Sequence, residues 1–524
     1  MLVEQICCII TVSETSFCKE LGPPQSPQSC SGVILNYQTG LVLCSGMAFS
    51  PFLIDKECVS KKQKRILHAN NFSSTMRISV DHVDMTVNRT SSKLCVTEGC
   101  HERQNAGLVM MLNCLEFQRA FEKIFREADK WNFYGGDEDP EIFDSVFLSW
   151  FAVLKMPSLA QGKTVSWVKS TAIEKGCSVL ACGSPFGSFC PDLFMSTLSK
   201  GIVSNLAGEE NAVIMTDARC LPGTEGGGLF VIIGDTPCLV GLITSPLCWK
   251  SHEWIGLTIV CSVHLILKNL LQAITFHQSL GDFSACSLTD IPQVLITANQ
   301  NSAKGKYPMV AVVESGQWWG SGVMLNPHLV LTCRHVVNGN PSLTVRVNAR
   351  ERYRTWSGRV LYTSKVSSPY DLAVVQLEEP VLDVVAPRLA TSFHSGEDVV
   401  VLGYGALGKH CGPSVTSGIL SRVITYQKKP VMLQTTCAVQ CGASGGAIIR
   451  TSTGELLGIV SSNTRDFAAK VTYPHLNFSI PVSVLEPLLS DFAHTGDTAV
   501  FQALDSAEEE VTRVWRLHIP QSKL

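Results

Sequence analysis

The chain has 524 residues, with 42 basic and 45 acidic side chains and a formal net charge of −3. That near-balance gives no electrostatic case for nucleic acid or an anionic membrane surface as a partner. No apolar run approaches the roughly 18 residues that a membrane-spanning helix needs, and 45% hydrophobic residues exclude extended disorder. The 21 cysteines are odd in number and irregularly spaced. They read as reduced, mostly buried thiols of a chain made in the cytosol, not as a disulfide framework. On that reading the glycosylation-type triplets at Asn71, Asn88 and Asn477 carry no sugar.

Met1–Val12 is apolar, short and without a basic leader, which suits a first strand better than a signal peptide. From there the chain repeats itself. SGVILNYQTGLVLCSGM at 31–47 is echoed by SGVMLNPHLVLTCRH at 321–335, each two strand-like runs joined by a turn. FAVL at 151–154 is echoed by LAVV at 372–375, and GCSVLACGSPFG at 176–187 by GEDVVVLGYGALG at 396–408. LSKGIVSN at 198–205 matches VTSGILSR at 415–422. PGTEGGGLF at 222–230 matches CGASGGAII at 441–449. Pairs in one register imply a duplication, and short β-branched runs between Gly, Pro, Asn and Asp imply an all-β unit in each half.

The first copy carries a long insertion, about 55–145. It holds a basic cluster (Lys61, Lys62, Lys64, Arg65), which reads as a solvated loop. Cys95, Cys100, His101 and Cys114 fit no common zinc spacing, so no metal is expected. A helix follows, with Phe117, Phe121, Ile124, Phe125 and Ala128 on one face. The organisation expected is a degenerate unit over 1–279, a polar linker over 280–305, an intact unit over 306–490, and a helix and tail over 491–524.

The second copy holds three motifs in the order His, Asp, Ser: Thr332-Cys333-Arg334-His335-Val336-Val337, Tyr370-Asp371-Leu372-Ala373-Val374-Val375, and Gly442-Ala443-Ser444-Gly445-Gly446. A serine hydroxyl is a weak nucleophile at neutral pH and needs an adjacent base. His335 fits that role, with Asp371 fixing the imidazole tautomer and stabilising its cation. The glycines let the backbone turn tightly enough to aim the N–H groups of Gly442 and Ser444 at a developing oxyanion. This order is that of chymotrypsin-type enzymes. The Gly-x-Ser-x-Gly letters also match an α/β-hydrolase elbow, but that fold needs the order Ser, Asp, His. Cys333 and Cys441 are off the centre of the turn and read as packing residues. In the first copy Met47, Trp150 and Glu225 stand opposite the three groups, so that copy is expected to be inert.

The chain ends in Ser522-Lys523-Leu524, an address read by the peroxisomal import receptor. Before it, Ser506 and Glu509 have capping-box spacing, and Val511, Val514 and Trp515 share a helical face.

GSGVMLNPHLVLTCRHVV, YDLAVV, SVTSGILS, CGASGGAI and NFSIP resemble the high-temperature-requirement branch of trypsin-like proteases. With the degenerate first half and the terminal tripeptide, the whole chain resembles the peroxisomal and glyoxysomal processing proteases. The resemblance implies an all-β fold: a chymotrypsin-like double β-barrel preceded by a degenerate copy. It implies a serine endopeptidase of the peroxisomal matrix without cofactors. Its substrates would be imported matrix enzymes, including those of fatty-acid β-oxidation. It further implies self-cleavage at a cysteine of the first half, for which Cys95, Cys100 and Cys114 are candidates, and leaves self-association open. In that fold Ala438 lies at the base of the specificity pocket, and Ser461, Ser462 and Asn463 pair with substrate backbone. Without a carboxylate at Ala438, small or moderately apolar side chains are expected before the cut. The competing reading is a non-catalytic scaffold or chaperone that kept the fold.

Overall fold

The computed structural model describes residues 2–15, 26–55, 59, 65–83, 101–126, 130–133, 146–158, 164–251, 253–276, 290–295, 307–349, 352–408, 411–466 and 471–515. Two compact units divide the chain. The first comprises Met1–Cys248 and Leu257–Ser302; the second comprises Trp249–Gly256 and Ala303–Leu524. The first unit thus runs past the expected boundary at 279, and the second takes in a short segment from within the first copy. Residues 249–256 fall inside the first copy in sequence but belong to the second unit in space.

In the second unit six strands close into a barrel in the order Val310–Ser315, Trp318–Asn326, Leu329–Thr332, Ala373–Leu377, Arg352–Thr363 and Ser342–Ala349. Six more close a second barrel: Asp398–Gly403, Ser414–Tyr426, Lys429–Thr435, Val471–Pro481, Leu456–Asp466 and Ala447–Arg450. Valine dominates because a β-branched side chain suits the pleated, inward face. Val313, Val330, Val345, Val347 and Val375 fill the first barrel, all buried. Closing so small a barrel needs local bends. These fall at register shifts between Met324 and Asn326 and between Val360 and Tyr362. A helix, Glu486–Thr495, then follows.

The first unit repeats this topology. Cys7–Glu14, Gln28–Asn36, Leu41–Ser45, Trp150–Lys155, His101–Asn113 and Met76–Val83 are hydrogen-bonded in a ring, with His101–Asn113 pairing both its neighbours. Ser178–Gly183, Thr197–Ala207, Val213–Thr216, Thr258–Ser262, Thr236–Ser245 and Gly228–Ile233 form the second ring. Each ring has the strand order of its counterpart. The bulge between Ile34 and Asn36 even repeats the one at Met324 and Asn326. The all-β, double-barrel class read from the sequence is the architecture found.

The segment 55–145 holds two of the first ring's strands, the counterparts of Ser342–Ala349 and Arg352–Thr363, together with the expected helix, Leu115–Ile124. There Phe117 is buried, and Phe121 packs at a tilt against Phe125, just past the helix end, with ring centres 4.6 Å apart; Ala128 lies outside the described residues. Not foreseen was a second helix, Val263–Phe276. The terminal helix runs Glu509–Trp515, with Val511 and Trp515 buried. Ser506 is not its cap. Its hydroxyl donates back to the Ala503 carbonyl at 3.1 Å, which also accepts the Ser506 N–H at the end of the 3-10 turn Thr498–Asp505.

Candidate active site

Each motif residue sits just off the end of a barrel strand, where the backbone leaves the ladder and side chains are free to converge. His335 lies on a single helical turn, Arg334–Val337, directly after strand Leu329–Thr332. Val336 and Val337 bury the inner face of that turn, which leaves the imidazole half-exposed on the other. Asp371 precedes strand Ala373–Leu377. Its loop is held by Ser364, whose hydroxyl accepts from Leu372 N at 3.1 Å, and by Ser368, whose hydroxyl accepts from Tyr370 N at 3.2 Å.

The two side chains meet. Asp371 Oδ2 is hydrogen-bonded to His335 Nδ1, and Asp371 Oδ1 accepts from the His335 backbone N–H at 3.1 Å. Arg334 Nε lies 3.7 Å from the same Oδ1. Burial works to raise the Asp371 pKa, but the hydrogen bond and charge of His335, with Arg334 beside it, hold it below the ordinary carboxylate value. A carboxylate bonded to Nδ1 leaves Nε2 as the nitrogen that can take a proton.

Ser444 sits in the turn between strands Lys429–Thr435 and Ala447–Arg450. Gly442 (φ 94°) and Gly445 (φ 85°) adopt the left-handed backbone that this turn requires. The N–H groups of Ala443, Gly445 and Gly446 are taken by Gln440 O, Val460 O and Ala443 O at 2.8–3.0 Å. Those of Gly442 and Ser444 bond no acceptor among the described residues. Two adjacent donors left open beside a serine are what an oxyanion needs. The Ser444 hydroxyl itself donates to the Ser461 carbonyl at 3.3 Å, so it does not bond His335 in this state. Such contacts commonly tighten only when substrate is bound.

Ser461, which accepts that bond, lies with Ser462 and Asn463 on strand Leu456–Asp466, and Ala438 lies in the segment before the serine turn. Ala438 is buried, and its carbonyl accepts from Thr416 Oγ1 at 2.8 Å. Asn463 Nδ2 donates to Val439 O at 3.3 Å, tying Ser461–Asn463 to the 438–441 segment. Cys333 Sγ, a His335 ring nitrogen and an Asp371 oxygen lie within 4.8 Å of one another. Burial pushes the Cys333 thiol well above its usual pKa, and it donates to Val460 O at 3.2 Å, so it packs as a neutral group. Of the cleavage candidates, Cys114 is buried just before helix Leu115–Ile124. Cys95, Cys100 and Ser522, Lys523 and Leu524 lie outside the described residues.

The first unit keeps this turn bond for bond. Gly223 and Gly226 have φ 96° and 84°. Ser31 N donates to Glu225 O at 2.9 Å as Ser321 N does to Ser444 O at 2.8 Å. Ser31 Oγ donates to Gly223 O at 2.8 Å as Ser321 Oγ does to Gly442 O at 2.8 Å. What differs is the occupant. The Glu225 carboxylate folds back onto the N–H of Gly223 at 2.7 Å and onto its own N–H. It fills the two donors that stand open around Ser444. With Met47 and the buried Trp150 in the other two positions, that site has neither the serine nor the His–Asp pair of the second unit.

Sequence reasoning missed Ser321. Its hydroxyl accepts from Tyr404 N at 2.8 Å and donates to Gly442 O, which pins the serine turn to the first barrel. The repeated Ser-Gly-Val in both copies was the available signal.

A family model of the trypsin-like peptidase domain matches residues 320–459. Along its length the chain is 38% identical to the peroxisomal leader peptide-processing protease of Mus musculus, covering 100% of this chain and 97% of that one. It is 38% identical to the protein of the same name from Homo sapiens, covering 99% and 96%. It is 30% identical over 176 residues to serine protease Do-like HtrB of Bacillus subtilis, covering 32% of this chain and 36% of that one.

Proposed function

The chain belongs to the peroxisomal leader peptide-processing protease family and is a serine protease, and we propose that it removes leader peptides from proteins imported into the peroxisomal matrix through His335, Asp371 and Ser444. The observation that carries the triad is the pair of open N–H groups at Gly442 and Ser444 in a unit that also holds the His335–Asp371 pair. Ser444 attacks the scissile carbonyl as its proton passes to His335, and the oxyanion settles on the two N–H groups. His335 then returns the proton to the leaving amine, and water repeats the sequence on the acyl-enzyme. The neutral, buried Ala438 offers no partner for a guanidinium or ammonium, so small or apolar side chains precede the cut.

Import follows from receptor binding of Ser522-Lys523-Leu524. Self-cleavage falls at Cys95 or Cys100, because the burial of Cys114 removes it from the reach of any protease cleft.

Fluorophosphonate labelling of the full-length protein tests the reading, beside Ser444→Ala and His335→Ala. Label on wild type that disappears in both variants is the expected result. A folded wild type that takes no label even after cleavage in the 84–100 segment is a scaffold, and the reading fails. Profiling the labelled enzyme on a peptide library checks the pocket; a preference for Arg or Lys would contradict it.

A further inference from the structure

Residues 249–256 interrupt the first unit between strands Thr236–Ser245 and Thr258–Ser262, yet cluster with the second unit. Cys248 Sγ donates to Leu257 O at 3.2 Å and closes the neck of the excursion. Trp249–Lys250 pairs with Glu253–Trp254 as a small hairpin, turning at Ser251 with φ 49°.

The hairpin's polar contacts converge on the surroundings of Ser444. Lys250 Nζ donates to Ala406 O at 2.7 Å. Glu253 Oε1 accepts from Thr472 Oγ1 at 3.1 Å. Trp254 packs edge-on against His475 with ring centres 5.4 Å apart. A Cβ on Gly256 would stand 3.3 Å from the Ala438 methyl, at the base of the proposed pocket.

Gln440 joins these contacts to the chemistry. Its Nε2 donates to Ile255 O at 2.7 Å, its Oε1 accepts from Ala406 N at 3.2 Å, and its own carbonyl accepts from Ala443 N at 3.0 Å. The last of these closes the turn that aims the Gly442 and Ser444 N–H groups. A carbonyl can only accept, so Ile255 O dictates that the buried amide presents its NH2 there and its oxygen to Ala406. Ala406 is therefore gripped twice, through its N–H by Gln440 and through its carbonyl by Lys250. Tyr404 O, two residues before it, lies 2.9 Å from where a Cβ on Gly442 would stand.

We propose that the 249–256 hairpin is a positioning element for the oxyanion turn. It is a segment of the first half of the chain that packs within the second unit. Lys250 and Gln440 are the positioning residues. The inference rests on the protease reading above.

The test uses full-length wild type, Lys250→Met, Lys250→Arg and Gln440→Leu. Active sites are counted with fluorophosphonate. Then kcat and KM on a cleaved peptide are measured, with the affinities of a matching peptide boronate and product acid. Removing one oxyanion donor costs on the order of 100-fold in kcat, so a displaced turn should cost about tenfold per titrated site. That loss is expected in Lys250→Met and Gln440→Leu, with boronate affinity falling by the same factor and product affinity holding. Lys250→Arg, which keeps a donor to Ala406, should behave as wild type. If kcat per titrated site stays at the wild-type level in both variants, whatever happens to Tm, the hairpin is merely structural and the proposal fails. If boronate and product affinities fall together, the pocket rather than the oxyanion turn is affected and it fails too. A wild type that takes no fluorophosphonate overturns the protease reading itself and this inference with it; a labelled wild type with unaffected variants overturns only this inference.

Discussion

A carboxylate in an oxyanion turn is an unusual guest, and Glu225 shows what the turn does when no substrate is there to use it. Backbone N–H groups cannot be switched off, so two donors aimed at one point attract whatever acceptor the sequence supplies. In the first unit that acceptor is the side chain standing in the serine's position. Desolvation raises the Glu225 pKa and outweighs the two N–H donors that lower it. The native state therefore holds this proton more tightly than the unfolded chain does. By linkage, the penalty for the buried charge is fully present above the folded pKa and fades as pH falls towards the unfolded value near 4.5. Glu225→Gln keeps an oxygen on the same donors and removes the titration. It should be at least as stable as wild type at pH 7.5, and its advantage should shrink as the pH falls from 7.5 to 4.5. Denaturant unfolding at the two pH values reads this directly; an advantage that grows on acidification would rule the account out.

The terminal elements show how the Asp371 loop is steadied from outside the barrels. Phe501, in the 3-10 turn Thr498–Asp505, packs on Tyr362 at 5.5 Å and on Phe492 at 5.3 Å. Lys365 N donates to Asp505 Oδ1 at 2.7 Å, and Ser368 Oγ donates to Leu504 O at 2.7 Å. Trp515, on the last helix, stacks edge-on against Tyr370 at 6.1 Å while its indole N–H reaches Val431 O at 3.1 Å in the other barrel. Trp515→Ala should therefore cost about 3 kcal/mol of stability in the second unit, from lost burial and an orphaned carbonyl. It should also lower kcat, because Tyr370 is the neighbour of Asp371. Unfolding of the variant within about 0.5 kcal/mol of wild type would contradict this packing. Elements of this kind were only half legible in the sequence. The strands and the three motifs are local patterns, so alternation, glycine turns and the duplicated register revealed them. The helical face of Val511 and Trp515 was also local. The partners of that face were not, and neither was the Ser506 hydroxyl's choice of Ala503 over its own helix. The 249–256 hairpin left no trace at all, because nothing within its own residues says which unit it joins.

At the scale of the molecule, both copies keep the fold, while the proposed catalytic groups stand in one. What is common to the two is the scaffold of each turn: the glycines, the serine at 31 or 321, and the ladder of N–H bonds. These are requirements of folding as much as of catalysis, which is why losing the chemistry did not lose the turn. The thiols tell the same story of a chain built to stay reduced. None of the sixteen cysteines among the described residues is cross-linked to another of them, and twelve are buried. Burial pushes Cys220 and Cys248 up to about 12 and Cys8 well above its usual value. Neutral thiols of this kind neither attack disulfides nor bind soft metals at pH 7. Stability should therefore owe nothing to cross-links among them. Thermal unfolding with and without dithiothreitol should give the same Tm to within about 1 °C, whereas a disulfide worth about 2–4 kcal/mol would lower it by on the order of 5 °C or more on reduction. A drop of that size would mean that cysteines have paired.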